Sequence, residues 1–441
     1  VVVGGSSHSL ALTGDGRALA WGSNQYGQLG DGTTTTQLEP VWVTDSSGAP
    51  LTGLIALAAG YRHSLALRAD GTVWTWGYNN NGQLGDGTTT NRSRAVLLTD
   101  GGGAVITDVV AVAAGQYFSL ALKRDGQVLA WGDNASGQLG DGTLVARLRP
   151  VAVLDTTTLP LTGVEAIAVG TNYSLALTAS GQVLAWGENG QGQLGDGTVQ
   201  DRSYPGLVEA VDGSALTGIT AMVAGSNHSL ALSNDTGVWA WGYNAQGQLG
   251  DGTFATPQGQ AARVLESGGG ELTDAVALTA GGSHSLALLA DGTLRAWGYN
   301  IYGQLSDASL QNKAYAVPVV DGNLDPVEYI GVPGDPGDPT LDSDGDGVPD
   351  STDAFPFDAS WQADVDGDGL SDGWEVQYFG DLTTTDGTAD TDGDTVPDAE
   401  EFARGSDPAV VPGFINQPLS AGSLHTLALK VDGTVLAWGY N

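Results

Sequence analysis

Apolar and small residues alternate along much of the chain with the period of two that is typical of β-strands. In Ser119-Leu120-Ala121-Leu122 the two leucines share one face and the small residues share the other. Residues 128–131 continue the pattern after Asp125-Gly126, which is a two-residue hairpin signal. Residues 109–115 and 150–153 indicate two more strands. The pattern therefore predicts a unit of four strands.

The same unit recurs along the chain. The tetrapeptide Ser-Leu-Ala-Leu, or Thr-Leu-Ala-Leu in the last copy, begins at Ser9, Ser64, Ser119, Ser174, Ser229, Ser285 and Thr426. The copies are 55, 55, 55, 55 and 56 residues apart, and the final step of 141 residues leaves about 86 residues beyond one 55-residue period. Seven four-stranded units predict an all-β fold, a seven-bladed β-propeller. A solenoid would need atypical polar units at its ends, and the first and last units here are ordinary.

The tetrapeptide belongs to longer recurring phrases, Gly-x-x-His-Ser-Leu-Ala-Leu, Asp-Gly-x-Val-x-Ala-Trp-Gly-x-Asn and Gly-Gln-Leu-Gly-Asp-Gly-Thr. Together they resemble the repeat of the regulator of chromosome condensation family. The resemblance covers residues 1–330 and 414–441, and it implies a propeller of seven blades. We assign residues 1–332 to blades one to six and the start of blade seven, 333–411 to an insert, and 412–441 to the rest of blade seven.

The repeat pattern also makes a prediction about the ends. The pattern places the start of the chain at the second strand of the first blade. The chain ends at Asn441, just after the seventh Trp-Gly. The Gly-Gln-Leu-Gly turn and the strand expected to follow Asn441 are absent, and that strand would lie beside the first blade and close the ring. We therefore expect an incomplete first blade, either because the chain is part of a longer protein or because a strand from another chain fills the gap. An unfilled strand position is a site for self-association by strand exchange.

Charge and composition exclude several classes of function. The chain has 51 acidic and 15 basic residues, a net charge of −36. Such a surface repels phosphate backbones, so we expect no nucleic-acid partner. The chain has no cysteine, which excludes disulfides and thiolate chemistry. No apolar run approaches the 18 residues of a membrane span, so none is expected.

The insert concentrates the acidic residues. Residues 333–411 hold 22 acidic residues and one basic residue, Arg404. Their spacing repeats positions 1, 3, 5, 9 and 12 of an EF-hand type calcium loop, with a backbone carbonyl at position 7. The predicted ligands are, in the first loop, Asp342, Asp344, Asp346, Val348, Asp350 and Asp353, in the second, Asp364, Asp366, Asp368, Leu370, Asp372 and Glu375, and in the third, Asp390, Asp392, Asp394, Val396, Asp398 and Glu401.

This spacing predicts a module that binds about three Ca²⁺ ions and is ordered by them. Gly347 and Gly369 stand at the sharp-turn position 6, where Thr395 departs from the pattern. Residues 374–379 and 399–404 are predicted to form short helices. The phrases also resemble thrombospondin type 3 calcium repeats of bacterial surface and secreted proteins. An acidic solvated linker is the alternative. Because calcium is abundant outside cells, the prediction favours an extracellular or surface-attached protein.

Other polar residues of the repeat are interpreted as structural. The five histidines occupy one repeat position, which Phe118 and Tyr173 fill in the two remaining units. Since phenylalanine can neither bind a metal nor act as a base, we expect these rings to be half-buried and bonded to backbone, and we expect no Ser–His catalysis. A loop aspartate that bonds backbone N–H groups is expected at Asp31, Asp86, Asp141, Asp196 and Asp251.

A periodic set of arginines allows two interpretations. Arg92, Arg147 and Arg202 lie 55 residues apart on one predicted face. They could form an anion-binding stripe, or they could pair with neighbouring acids, which the sequence favours.

We conclude that the sequence predicts a non-enzymatic, extracellular calcium-binding interaction or structural module, such as an adhesin, a matrix component or a fibre subunit. Its partner is expected to be a protein or another copy of the chain. A secreted propeller-type inhibitor is an alternative, although the predicted loops consist mainly of Thr, Ser, Gly and Asp. A guanine-nucleotide exchange factor is a weaker alternative, because the basic tail and inserted wedge that the resemblance implies for that activity are missing.

Overall fold

The computed structural model describes residues 1–320 and the strands at residues 419–421, 425–429 and 435–439. The described part of the chain contains six four-stranded antiparallel sheets and one three-stranded sheet, and no helix. In each sheet the strands are hydrogen-bonded in the order in which the chain forms them. This is an all-β, propeller-like architecture.

The sheets are numbered along the chain, and their strands are as follows. Sheets 1 to 3 contain β1 (Val2–Gly4), β2 (His8–Leu12), β3 (Ala18–Gly22) and β4 (Gln37–Trp42); β5 (Leu54–Ala59), β6 (His63–Arg68), β7 (Val73–Gly77) and β8 (Arg92–Leu97); and β9 (Val109–Ala114), β10 (Phe118–Lys123), β11 (Val128–Gly132) and β12 (Arg147–Ala152). Sheets 4 to 6 contain β13 (Val164–Val169), β14 (Tyr173–Thr178), β15 (Val183–Gly187) and β16 (Arg202–Leu207); β17 (Ile219–Ala224), β18 (His228–Ser233), β19 (Val238–Gly242) and β20 (Gln258–Arg263); and β21 (Ala275–Ala280), β22 (His284–Leu289), β23 (Leu294–Gly298) and β24 (Lys313–Pro318). Sheet 7 contains β25 (Leu419–Ala421), β26 (His425–Leu429) and β27 (Val435–Gly439).

The sheets follow one another around a ring. The first strands contact each other in cyclic succession, from β1 to β5, β9, β13, β17, β21 and β25, and β25 in turn contacts β1. The first strands therefore line the axis, and the fourth strands lie at the rim.

The alternating pattern of the repeat builds the core between sheets. Leu175 and Leu177 of β14 lie in one buried cluster with Ala231 and Trp241 of the next sheet. The leucine face of one sheet thus packs on the small-residue face of its neighbour, and both faces of β14 are buried. Close packing of large against small side chains explains why Ser-Leu-Ala-Leu recurs.

The prediction of an incomplete first blade was wrong. Residues 2–4 form β1, which pairs antiparallel with β2 through Val2 and Ala11, so sheet 1 has four strands. The described sheet with three strands is sheet 7. A strand from another chain is therefore not needed to complete sheet 1.

Antiparallel pairing places the loops on two faces of the ring. The loops between first and second strands and those between third and fourth strands leave at one face, which we call the cavity face. The hairpins between second and third strands and the connections from sheet to sheet leave at the other, which we call the hairpin face. In the described part of the chain no helix is long and apolar enough to cross a membrane.

Candidate functional site

Four junctions between described sheets are each held by a buried backbone carbonyl that accepts two side-chain hydrogen bonds. The Gln83 carbonyl oxygen, in a loop of sheet 2, accepts from Ser119 Oγ at 2.9 Å and from Trp131 Nε1 at 2.9 Å, both in sheet 3. The carbonyls of Gln28, Gln138 and Gln248 do the same with the serine and tryptophan of the next sheet. The Gly-Gln-Leu-Gly and Trp-Gly phrases are therefore two halves of one inter-sheet contact.

The repeated histidines contribute to the same junctions. His63 Nε2 lies 3.0 Å from Ser119 Oγ, and His8 Nε2 lies 2.9 Å from Ser64 Oγ. Each serine hydroxyl donates its one proton to a glutamine carbonyl, which can only accept, so the histidine must donate from Nε2. Burial lowers the pKa of His8 to about 4 and that of His63 to about 3, which keeps both rings neutral.

The structure corrects the expected burial of the histidines and supports the expectation that their role is structural. The described histidines, His8, His63, His228 and His284, are buried rather than half-buried, and His63 and His8 bond a serine of the next sheet. Tyr173 fills the histidine position in sheet 4, and its hydroxyl lies 2.9 Å from Ser229 Oγ and donates to the His228 carbonyl at 2.6 Å. A position that accepts histidine, tyrosine or phenylalanine at a buried junction holds sheets together.

The loop aspartates and the periodic arginines lie as predicted. Asp141 Oδ1 accepts from the backbone N–H of Thr143 at 3.0 Å, and Asp141 Oδ2 pairs with Arg147 Nη2 at 2.6 Å. Burial alone would raise the pKa of Asp141, but hydrogen bonds from Thr143 and Arg147 outweigh it and hold the pKa below its ordinary value. Arg92 and Arg202 pair with Asp86 and Asp196 in the same way, so these arginines are ion-paired and do not form an anion-binding stripe.

A cavity of about 340 Å³ lies on the axis at the cavity face. Its lining comes from equivalent turns of sheets 1 to 6 and consists mainly of glycine and alanine. Tyr61, Gln116, Thr171 and Ser226 supply the larger polar groups, and none of the described residues that line the cavity is acidic or basic. The cavity therefore offers neutral hydrogen-bonding groups and no ion-binding charge.

An aromatic cluster that was not predicted from the sequence borders this cavity. Tyr26, Tyr61, Tyr78, Tyr117 and Arg62 come from loops of sheets 1, 2 and 3 on the cavity face, and we call them the tyrosine–arginine cluster. Ring centroids are 4.9 Å apart for Tyr26 and Tyr78, 5.6 Å for Tyr78 and Tyr117, and 5.9 Å for Tyr61 and Tyr117. All five side chains are partly exposed.

The predicted calcium ligands are not tested by this geometry. All positions from Asp342 to Glu401 lie outside the described residues, as do the predicted helices and the boundary at residue 333. Within residues 1–320 and the three later strands, no group of three or more acidic or histidine side chains could hold a metal ion.

Comparison with known proteins shows where this architecture belongs. The model of the RCC1-like domain matches residues 1–270, and the model of the regulator of chromosome condensation (RCC1) repeat matches residues 275–304 and 419–441. The chain is 38% identical over 231 residues to the E3 ubiquitin-protein ligase HERC2 of Homo sapiens, which is 52% of this chain and 4% of that protein. It is 33% identical over 248 residues to the ultraviolet-B receptor UVR8 of Arabidopsis thaliana, with 56% of this chain and 54% of that protein covered.

The similarity extends to solved structures. The fold matches that of yeast RCC1 (Prp20), solved with Kap60 bound, at a TM-score of 0.60 and 21% identity, covering 73% of this chain and 75% of that one. The chain thus spans about half of the length of UVR8 and a small part of HERC2. Because the RCC1-like domain model alone matches more than half of its residues, this protein belongs to the RCC1-like domain family.

Proposed function

We propose that the protein is a non-enzymatic protein-binding module whose cavity face receives the partner. The observation that carries this proposal is the tyrosine–arginine cluster, since partly exposed, packed tyrosines and arginine are the side chains most enriched at protein interfaces. Yeast RCC1, which shares the fold, has been solved with Kap60 bound. The buried Ser–His pairs offer no exposed nucleophile, which favours binding over catalysis.

We further propose that the binding module is a seven-bladed propeller with a calcium-binding insert and that it works outside the cell. The contacts of β25 with β1 and β21 support counting sheet 7 as the seventh blade. The regular spacing of carboxylates from Asp342 to Glu401 supports about three Ca²⁺ ions. The extracellular location rests on the calcium concentration that loops of this kind require.

Site-specific photocrosslinking tests the protein-binding proposal. Tyr117 on the cavity face and Asp125 on the hairpin face of the same sheet are replaced, one at a time, by the photoreactive p-benzoylphenylalanine. Irradiation of the cells that make the protein together with their surrounding medium is expected to give one discrete adduct from position 117 and none from position 125, and excess unmodified protein should suppress the adduct. Equal labelling at both positions, or none at either, would contradict the proposal.

The same cluster favours a second candidate, a soluble inhibitor that docks on one target protein. This alternative requires an aromatic loop face, which the cavity face has. Sedimentation of the purified chain with calcium and with EGTA separates the two candidates. Calcium-dependent polymers support a fibre or matrix component, and a monomer that forms a one-to-one complex with the crosslinked partner supports an inhibitor.

A further inference from the structure

The charge of Arg62 is unusual among the basic residues of the described chain. Residues 1–320 contain 13 lysines and arginines, of which nine pair with a carboxylate. The four that do not pair with a carboxylate are Arg62, Arg94, Arg124 and Arg149. Arg94 and Arg149 lie in the rim strands β8 and β12 and bond Thr44 and Thr99. Arg124 is exposed on the hairpin face. Within residues 1–320, Arg62 is therefore the cation of the cavity face that lacks a carboxylate.

Aromatic rings hold Arg62 in place without neutralising it. Its guanidinium carbon lies 4.8 Å from the ring centroid of Tyr26 and 5.1 Å from that of Tyr61. Nη1 donates one hydrogen bond, to the Tyr26 hydroxyl at 3.0 Å. A guanidinium has five N–H donors, so most of them remain for a ligand. Stacking fixes the planar group in advance, which reduces the entropy lost on binding.

The tyrosines around Arg62 form a preorganised apolar surface. Tyr78 contacts both Tyr26 and Tyr117, so the rings restrain one another. Tyrosine hydroxyls are neutral near pH 7, and burial raises the pKa of the Tyr117 hydroxyl further above its ordinary value. Arg62 is therefore the charged side chain of the cluster. Rigid tyrosines give a large contact area at low conformational cost. The site therefore combines one unpaired cation with adjacent apolar rings.

The acids of the same face limit where an acidic ligand can lie. The repeat position of Tyr78 is occupied by Asp133 in sheet 3 and by Glu188 in sheet 4. Gln138 and Asn172 donate hydrogen bonds to these carboxylates, but no basic side chain pairs with them in the described chain. A ligand carboxylate is therefore attracted towards Arg62 of sheet 2 and repelled from Asp133 of sheet 3 and Glu188 of sheet 4.

We propose that the tyrosine–arginine cluster binds an acidic segment of a separate partner protein. One carboxylate of that segment pairs with the Arg62 guanidinium, and a neighbouring apolar side chain packs on Tyr78 and Tyr117. The planar fork of arginine matches a carboxylate with two parallel hydrogen bonds. The net charge of −36 repels an extended polyanion such as a nucleic acid. A segment that presents a single carboxylate to Arg62 meets less of this repulsion. This inference rests on the proposed protein-binding function and specifies the chemistry of the partner.

Peptide selection followed by a double-mutant cycle tests the inference. Random 12-residue peptides displayed on phage are selected on the full chain, and the enriched peptides are measured by fluorescence polarisation. We expect an Asp or Glu beside an apolar residue at one fixed position. Arg62→Gln is expected to weaken binding about tenfold, as is exchange of the peptide's acid for its amide, and the two changes together should cost little more than either alone.

Three controls separate this result from its alternatives. Arg124→Gln removes another unpaired cation, on the hairpin face, and should leave affinity unchanged. Arg62→Lys keeps the charge but not the fork, so affinity should fall between wild type and Arg62→Gln. Thermal unfolding of each variant checks the fold, and Tyr78→Ala supplies a second variant if Arg62→Gln is unstable, since it should also weaken binding.

Several outcomes would overturn the inference. Peptides without an acidic residue, independent effects of the two changes, or no enrichment would each do so. If enriched peptides bind Arg62→Gln as well as wild type but still compete with the crosslinked partner, the protein-binding function stands and its acidic specificity fails. If wild type sediments as a dimer and Arg62→Gln as a monomer, the occupant is a second copy of the chain and the inference is wrong.

Discussion

The imidazole Nε2 of His63 lies 3.0 Å from the hydroxyl oxygen of Ser119 in the next sheet. That hydroxyl donates in turn to the Gln83 carbonyl, which belongs to the same sheet as His63. One serine of sheet 3 therefore bridges two groups of sheet 2 in a fully buried junction. The repeated His-Ser pair is a device for fixing neighbouring sheets, and its energetic contribution can be measured sheet by sheet.

Removal of Ser119 is expected to cost more than removal of the equivalent Ser174. Ser119→Ala removes both the hydroxyl partner of the buried His63 Nε2 and the bond to the Gln83 carbonyl. Ser174 faces Phe118 at the histidine position of the preceding sheet, so Ser174→Ala removes only the bond to the Gln138 carbonyl. Because a hydrogen bond contributes about 1 kcal/mol, Ser119→Ala should cost about 1 kcal/mol more than Ser174→Ala. Urea unfolding of the two variants measures the difference. Equal losses would contradict the junction model.

Stability should decline with falling pH before the carboxylates titrate. Burial lowers the pKa of His8 to about 4 and those of His63 and His228 to about 3, below the value of roughly 6.5 in an unfolded chain. As the pH falls, the unfolded state therefore binds protons before the folded state does. The histidine contribution to the free energy of unfolding is complete above about pH 6.5 and is lost as the pH falls towards the folded pKa values. Each histidine contributes at most about 1.4 kcal/mol per pH unit.

Unfolding between pH 7.5 and 4.5 tests this prediction. Phenylalanine occurs naturally at the equivalent position 118, so the double variant His63→Phe and His228→Phe should keep the fold and show a shallower decline than wild type. Paired carboxylates such as Asp86 and Asp141 have lowered pKa values, so their protonation reduces stability only below about pH 4. An unchanged slope in the double variant would show that the histidines do not control acid sensitivity.

The glycine of the Trp-Gly phrase is expected to be irreplaceable. Gly132 has a φ of 106°, and a Cβ there would lie 2.5 Å from the Tyr117 carbonyl oxygen and 2.7 Å from Phe118 Cα. Gly132→Ala should destabilise by more than about 2 kcal/mol, because it combines backbone strain with overlap against the neighbouring strand. Gly101→Ala is the control, since a Cβ there meets nothing within 4 Å. The free energy of unfolding measures both, and similar values would refute the steric argument.

Calcium binding by the insert is expected to follow the loop assignment. Titration calorimetry of the full chain should give about three Ca²⁺ ions, and Asp366→Asn should reduce this by one because position 3 of the second loop loses its charge. Asp335→Asn changes the same charge in the acidic segment outside the loops, and it should leave the stoichiometry unchanged. Fewer than two ions bound to wild type would contradict the assignment.

The local parts of the fold could be predicted because their causes are local. The alternation in Ser119-Leu120-Ala121-Leu122 and the Asp125-Gly126 turn predicted a hairpin, and β10 and β11 form it. The loop aspartates were also predictable, since Asp141 bonds an N–H two residues away. The first strand was missed because β1 has three residues and no turn signal before it; its pairing with β2 and its contacts with β5 and β25 identify it.

The candidate site could not be predicted in the same way. Tyr26, Tyr61 and Tyr117 lie in three different sheets, and each is an isolated tyrosine in its own loop. The variation of these loop positions from unit to unit, within an otherwise regular repeat, was a signal of a functional site. The variation did not show which of the loops contact one another.

The sequence by itself determined the strands, the turns and the repeated unit, because these depend on side-chain alternation and turn chemistry within a few residues. The tertiary structure decided that His63 meets Ser119 and that Arg62 is surrounded by tyrosines without a carboxylate. The contacts of His63 with Ser119 and of Arg62 with Tyr26 join residues of neighbouring sheets that are 56 and 36 positions apart in the chain. They exist because one sheet packs on the next.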